Sequence, residues 1–113
     1  MKNILSLAYI ETVPTNVEDE NKSNIPTEYS LSQNYPNPFN PSTNIGFRIS
    51  DRGYVSLKVF DILGNEVVTL VDEEKEPGVY EVQFDASNLS SGIYYYKLVS
   101  GNFIETKKMV LIK

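Results

Sequence analysis

Apolar and polar residues alternate with a period of two along most of the chain after residue 29. Ile45, Phe47 and Ile49 are separated by polar or small residues, and the next apolar stretch has the same spacing. Such alternation is typical of strands with one buried face. The pattern predicts six strands: Thr43–Ile49, Tyr54–Asp61, Glu66–Val71, Tyr80–Phe84, Ile93–Ser100 and Phe103–Ile112.

Turn-forming residues separate these strands. Gly64 suits a tight turn that requires a positive φ. Asp72–Gly78 is interpreted as an acidic turn at a hairpin tip, Asp85–Gly92 as a loop, and Gly101-Asn102 as a two-residue hairpin turn. With an irregular leading edge at Tyr29–Leu31 and no helical pattern, the chain is predicted to be all-β. We expect an immunoglobulin-like antiparallel β-sandwich of about seven strands.

The same alternation predicts which side chains form the core of this sandwich. Leu89, Gly92 and Tyr94 resemble the corner before the penultimate strand of immunoglobulin-like domains, where a tyrosine hydroxyl bonds to loop backbone. We expect alternate residues of five strands to face inward: Ile45, Phe47, Val55, Leu57, Val59, Tyr80, Val82, Phe84, Tyr94, Tyr96 and Leu98.

A proline-rich segment precedes the first of the six strands: Asn34-Tyr35-Pro36-Asn37-Pro38-Phe39-Asn40-Pro41. We call it the opening run. Its three prolines fix φ and remove three backbone donors, so it forms neither a helix nor a central strand. It is either a packed lead-in to the sandwich or an exposed ligand. We expect the lead-in, with the rings of Tyr35 and Phe39 against the core.

The composition excludes several classes of function. A chain of 113 residues without Cys or His lacks the commonest general base, thiolate nucleophiles and the usual zinc ligands. The acidic cluster Asp72–Glu76 lacks the ligand spacing of a calcium loop. A net charge of −5 argues against a nucleic-acid partner, and no stretch approaches the ~20 apolar residues of a membrane span. The sequence therefore predicts neither an enzyme nor a metal or cofactor site.

Residues 1–28 differ in character from the rest. Glu11–Glu28 contains five acidic residues against one lysine, with prolines near both ends, which favours a solvated linker. Met1–Ile10 has the outline of a signal peptide, but its apolar run is short and no small-x-small cleavage site follows. We interpret these ten residues as the end of an upstream element or a reading frame begun at an internal Met. The folded domain is predicted to span residues 29–113.

Four motifs together carry a specific resemblance. Leu31–Ile45, which contains the opening run, resembles the opening motif of the type A C-terminal sorting domains of the type IX (Por) secretion system of Bacteroidetes. Asp61–Val68 resembles the central hairpin of that family, Gly92–Tyr96 its Gly-x-Tyr strand, and Lys107–Leu111 its closing motif. The candidate sorting-motif residues are Asn34, Tyr35, Pro36, Asn37, Pro38, Phe39, Asn40, Pro41, Gly64, Gly92, Tyr94, Lys107, Lys108, Met109, Val110 and Lys113.

The resemblance implies a non-catalytic address label. In such proteins an N-terminal cargo reaches the periplasm through a signal peptide, and the type IX translocon recognises the C-terminal domain. A sorting peptidase commonly removes the domain, and the cargo is secreted or attached to the cell surface. The edge strand Phe103–Ile112 can pair with a receptor by β-augmentation, and the linker before Tyr29 suits cleavage. Because the family's cargo and signal peptide are missing, we expect an excised domain or a broken reading frame.

Other interpretations of the residues stay open. A structural or adhesive immunoglobulin-like module that binds a glycan or a protein at the cell surface is the alternative function. The lysines of Lys107–Lys113 are also the kind of charges that protect an edge strand from pairing. The residues leave the oligomeric state, the cargo and the cleavage position open.

Overall fold

Seven strands form two antiparallel sheets in the computed structural model, which describes residues 26–113. The strands are β1 (Ser30–Leu31), β2 (Ser42–Ile49), β3 (Gly53–Phe60), β4 (Glu66–Lys75), β5 (Gly78–Asp85), β6 (Gly92–Ser100) and β7 (Phe103–Leu111). One sheet has the order β1-β2-β5 and the other β4-β3-β6-β7. The predicted all-β, immunoglobulin-like sandwich is confirmed, and five of the six predicted strands match within two residues at each end.

The core lies between the two sheets and follows the alternation of the sequence. Val55, Leu57 and Val59 of β3 are fully buried, and Leu57 and Val59 lie opposite Leu98 and Tyr96 of β6. Most of the predicted core is confirmed, although Tyr80 and Val82 are only partly buried and pack against its margin. The core also contains seven residues outside that set, of which Phe39 was expected from the opening run: Leu31, Phe39, Ile49, Val71, Ala86, Met109 and Leu111.

The acidic segment after residue 71 is a strand and not a turn. β4 continues to Lys75, and its residues 72–75 pair one for one with Ser56 to Gly53 of β3. β5 then begins at Gly78 in the other sheet, so the predicted hairpin tip at Asp72–Gly78 was wrong. Main-chain pairing holds this end of β4, since its side chains are largely solvated. Arg52 adds ion pairs to the carboxylates of Glu74 and Glu76, at 3.2 and 3.4 Å.

Residues 1–25 lie outside the part of the chain that the structure describes. The interpretations of Met1–Ile10 and of the acidic linker Glu11–Glu28 therefore stay predictions, as does the domain boundary before Tyr29. Within residues 26–113, no helix is long and apolar enough to cross a membrane.

Candidate functional site

The opening run connects the two sheets along one side of the sandwich. At its start, the main chain of Tyr35 exchanges two hydrogen bonds with Asn44 of β2, at 3.0 and 2.9 Å. Near its end, Phe39 N–H donates to Val110 O and Ile112 N–H donates to Phe39 O, both at 2.9 Å. The run thus pairs with β2 of the first sheet and in parallel with the end of β7 of the second.

Side chains strengthen the contact with β7. Asn37 Oδ1 accepts a hydrogen bond from Val110 N–H at 3.0 Å, and Gln33 Nε2 donates to Lys108 O at 2.8 Å. These contacts link residues about seventy positions apart, so the first and last motifs of the domain form one structural unit. We call it the clasp, defined as the contacts of Gln33, Asn37 and Phe39 with Lys108, Val110 and Ile112.

The two aromatic side chains of the opening run have opposite environments. Phe39 is 2% exposed and its ring centroid lies 6.0 Å from that of Phe84, which confirms the expected burial. Tyr35 is 79% exposed, so the expectation that its ring packs on the core was wrong. The reason is local: Tyr35 pairs with β2 as a strand residue, and the preceding Asn34 takes the inward position.

Asn34 lies at the centre of a buried polar network. Its backbone N–H donates to the hydroxyl of Tyr96 at 2.8 Å, and that hydroxyl donates to Ser32 O at 2.7 Å. Its side-chain Nδ2 donates to Thr43 Oγ1 and to Pro36 O, at 3.0 and 3.1 Å. Buried polar groups satisfied in this way fix one arrangement of the chain. The network therefore holds the start of the opening run on β6 and β2.

Burial has an electrostatic effect on Tyr96. It raises the pKa of the phenol from its ordinary 10.0 to about 12, although the hydrogen bond from Asn34 acts in the opposite direction. The phenol is thus neutral at physiological pH and serves both as donor and as acceptor. Sequence reasoning placed Tyr96 in the core but gave no sign of its bond to Asn34.

The closing motif contributes buried and exposed side chains alternately. Met109 and Leu111 are fully buried, whereas Lys108 is exposed and Val110 is half-buried. Lys107, at the margin of the inner face, pairs with Glu105 of its own strand at 3.3 Å. The prediction of an open edge over Phe103–Ile112 is therefore confirmed only for its first half, because the clasp covers the second.

Lys113 is held at the same end of the sandwich. Its backbone N–H donates to Ser91 Oγ at 2.9 Å, and its Nζ donates to Ser87 O at 2.6 Å. Tyr94 lies close by, and its hydroxyl donates to Ser90 O at 2.7 Å. This is the predicted tyrosine corner. Gly92 begins β6 with φ at +155°, a conformation that a residue with a side chain rarely adopts.

The central loop between β3 and β4 is closed by hydrogen bonds to Asp61 and displays apolar side chains. The Asp61 carboxylate accepts hydrogen bonds from the N–H groups of Leu63 and Asn65, both at 2.9 Å, and these bonds lower its pKa, the Asn65 bond most strongly. Gly64 has φ at +88°, as predicted for this turn. Ile62 and Leu63 are 67% and 82% exposed, so the loop presents two aliphatic side chains to solvent.

The four motifs converge at one end of the sandwich. Phe60, which precedes the central loop, pairs with Tyr95, and Gly92 pairs with Leu111. The end of β3, the start of β6 and the end of β7 therefore lie at the same end of the four-stranded sheet. The clasp adds Phe39 to that end. Within residues 26–113, no group of three or more acidic side chains is close enough to hold a metal ion.

Residues 33–113 match the model of a family described as the secretion system C-terminal sorting domain. The chain belongs to this family. The resemblance to type IX (Por) sorting domains is thereby confirmed, and the matched region begins at Gln33, the first residue of the clasp. No curated protein matches the chain. Membership connects this sorting domain with the type IX machinery and with export to the cell surface or beyond it.

Proposed function

We propose that this domain is a non-catalytic signal by which the type IX translocon exports an attached N-terminal cargo across the outer membrane. The observation that carries the proposal is the family match from Gln33 to Lys113, which spans the opening and closing motifs. The clasp supports it, because two motifs at opposite ends of the domain become one surface only in the folded state.

The candidate motif residues divide into two groups by burial. Asn34, Phe39, Tyr94 and Met109 are buried and hold the fold. Asn37 and Lys108 are exposed members of the clasp, and Tyr35 is exposed beside it. Prolines at positions 36 and 38 keep this part of the chain stiff. An exposed aromatic ring on a rigid segment loses little entropy on binding, which favours Tyr35 as a contact for the translocon.

The fate of the cargo forms the second part of the proposal. The cargo precedes the acidic segment Glu11–Glu28, and the sorting peptidase cleaves within that segment after export. Its composition supports this assignment, because a charged stretch with few apolar residues gives a protease access to the main chain. The released cargo then leaves the cell or is attached to its surface.

A reporter fusion tests the proposal. Met1–Lys113 is placed behind a signal peptide and a reporter in a type IX-competent cell and in an isogenic strain without the translocon. We expect the reporter outside the first strain, cleaved from the domain, and in the periplasm of the second. A reporter that stays periplasmic in the competent strain contradicts the proposed function.

A further inference from the structure

The outer face of the four-stranded sheet is apolar and basic beside its open edge. The cross-strand pairs on this face are Val99 with Ile104, Lys97 with Thr106, and Tyr95 with Lys108. An open groove of about 320 Å³ crosses the face from the central loop to β7. Its lining residues are Phe60, Asp61, Ile62, Gly64, Tyr95, Lys97 and Thr106.

The main chain of β7 is available to a partner only in its first half. The clasp shows that even-numbered residues of β7 direct their N–H and C=O groups away from β6, because Lys108 O bonds to Gln33 and both groups of Val110 bond to the opening run. By the alternation of an antiparallel ladder, Ile104 and Thr106 point the same way. Their backbone groups have no partner among residues 26–113. An added strand can therefore pair with β7 as far as Lys108, where the clasp stops it. β1 lies against this half of β7 only from the core side, where Tyr29 stacks on Phe103 at 5.4 Å.

Two lysines on this face lack an acidic partner. Lys58 pairs with Glu66 at 3.6 Å, but neither Lys97 nor Lys108 takes part in an ion pair within residues 26–113. Lys97 Nζ lies 5.4 Å from the centroid of the Phe60 ring, at the floor of the groove. Asp61 also lines the groove, but its carboxylate bonds to the amides of its own loop.

Thr106 separates Lys97 from the open edge and has a short side chain. A long side chain on an added strand, opposite Thr106, therefore reaches across it into the groove. A carboxylate at that position meets Lys97 and Lys108. Ile104, 63% exposed, offers an apolar contact to the next residue on the same face of the added strand.

We propose that Ile104–Lys108 and the adjoining groove are the docking surface for an extended segment of the type IX machinery, which adds to β7 as a strand. The segment carries an acidic side chain opposite Thr106 and an apolar one beside Ile104. This inference rests on the proposed function and names the surface and the chemistry of its partner. A second copy of the chain fits this surface less well. Two β7 strands that pair antiparallel with Thr106 opposite Thr106 bring two Lys97 side chains toward each other, and neither lysine meets a carboxylate.

A proline substitution tests the edge without disturbing the sheet. Thr106→Pro removes an N–H that β6 does not use, which edge strands tolerate. The matched control is Gln83→Pro, at the outward-facing edge position of β5 in the other sheet. In the reporter fusion we expect Thr106→Pro to lose export and Gln83→Pro to keep it, with both purified chains retaining the wild-type unfolding midpoint.

A charge reversal tests the acidic partner and protects the experiment against a proline variant that fails to fold. We expect the double variant Lys97→Glu/Lys108→Glu to lose export, whereas Arg48→Glu, on the exposed face of the other sheet, retains it. If the wild-type fusion is exported and these variants are exported equally well, the docking surface is wrong and the proposed function stands. If the wild-type fusion itself stays in the periplasm, the proposed function is wrong, and the docking surface that rests on it is wrong with it.

A photo-crosslinking amino acid at position 104 identifies the occupant in the same cells. A crosslink to a component of the type IX machinery agrees with the inference. A crosslink to a second copy of the fusion, or to residues 1–25 of the same chain, overturns it.

Discussion

The buried bond between Tyr96 and Asn34 gives the sharpest prediction for the stability of the domain. Replacing Tyr96 with Phe keeps the ring in the core but removes the hydroxyl that accepts the Asn34 N–H and donates to Ser32 O. Asn34 is buried, so its N–H is left without a partner, which costs about 1–3 kcal/mol. Ser32 O also loses its donor, but this bond is only part-buried, so its loss adds less. We expect a loss of about 2 kcal/mol.

Two neighbouring tyrosines provide matched controls. Tyr94→Phe removes one hydrogen bond to a part-buried carbonyl and should cost about 0.5–1.5 kcal/mol. The hydroxyl of Tyr95 has no hydrogen bond within residues 26–113, so Tyr95→Phe should change stability by no more than about 0.5 kcal/mol. Urea denaturation followed by circular dichroism measures all three. With an m value of about 1 kcal/mol per M, the Tyr96 variant should shift the midpoint by about 2 M.

Alkaline pH offers an independent readout of the same residue. Because burial raises the pKa of Tyr96 to about 12, the folded state keeps this proton at a pH where the unfolded state has lost it. The resulting stabilisation is complete below pH ~10 and is lost as the pH rises from about 10 to about 12. Wild type should therefore lose stability more steeply over this range than Tyr96→Phe. If the Tyr96 variant is no less stable than Tyr95→Phe, and the two show the same pH dependence, the bond does not fix the opening run.

Two further pairs of substitutions test the opening run and the central loop. Phe39→Ala should lower the free energy of unfolding by about 3–5 kcal/mol, because the ring is buried against Phe84. Tyr35→Ala should leave the unfolding midpoint unchanged and impair export of the reporter, because the Tyr35 ring is exposed. A Tyr35 variant that unfolds at lower urea concentration, or one that is exported normally, contradicts this division of roles. Gly64→Ala should lower the unfolding free energy by about 1–2 kcal/mol because of its positive φ. Gly53→Ala, where a Cβ meets nothing within 4 Å, is the control, and equal effects of the two would refute the role of the loop conformation.

The strands that follow a strict alternation could be predicted from the sequence, since burial of one face determines both the strand and its inward side chains. The tyrosine corner at Tyr94 could also be predicted, because its spacing from the preceding loop is local. Residues 72–75 could not. Three of these four residues are acidic and solvated, and pairing of the main chain with β3 makes the segment a strand.

The candidate site depends mostly on contacts that no local pattern encodes. Tyr35 and Phe39 are both aromatic residues next to a proline, yet only Phe39 meets the end of β7, and this follows from the path of the run across the sheet edge. The Asn34–Tyr96 bond joins residues 62 positions apart. Similarly, alternation marked β7 as a strand but gave no sign that the opening run covers its second half.

The clasp also determines when the domain can finish folding. Asn37 and Val110 are separated by 73 positions, so the opening run has no partner on the second sheet until β7 has been synthesised. Contacts of this separation lower the rate of folding, because the intervening chain must be ordered first. Until then β6 has an unpaired edge, and the Phe39 ring lacks the strand that covers it. Until β7 is available, the domain is therefore an open sandwich.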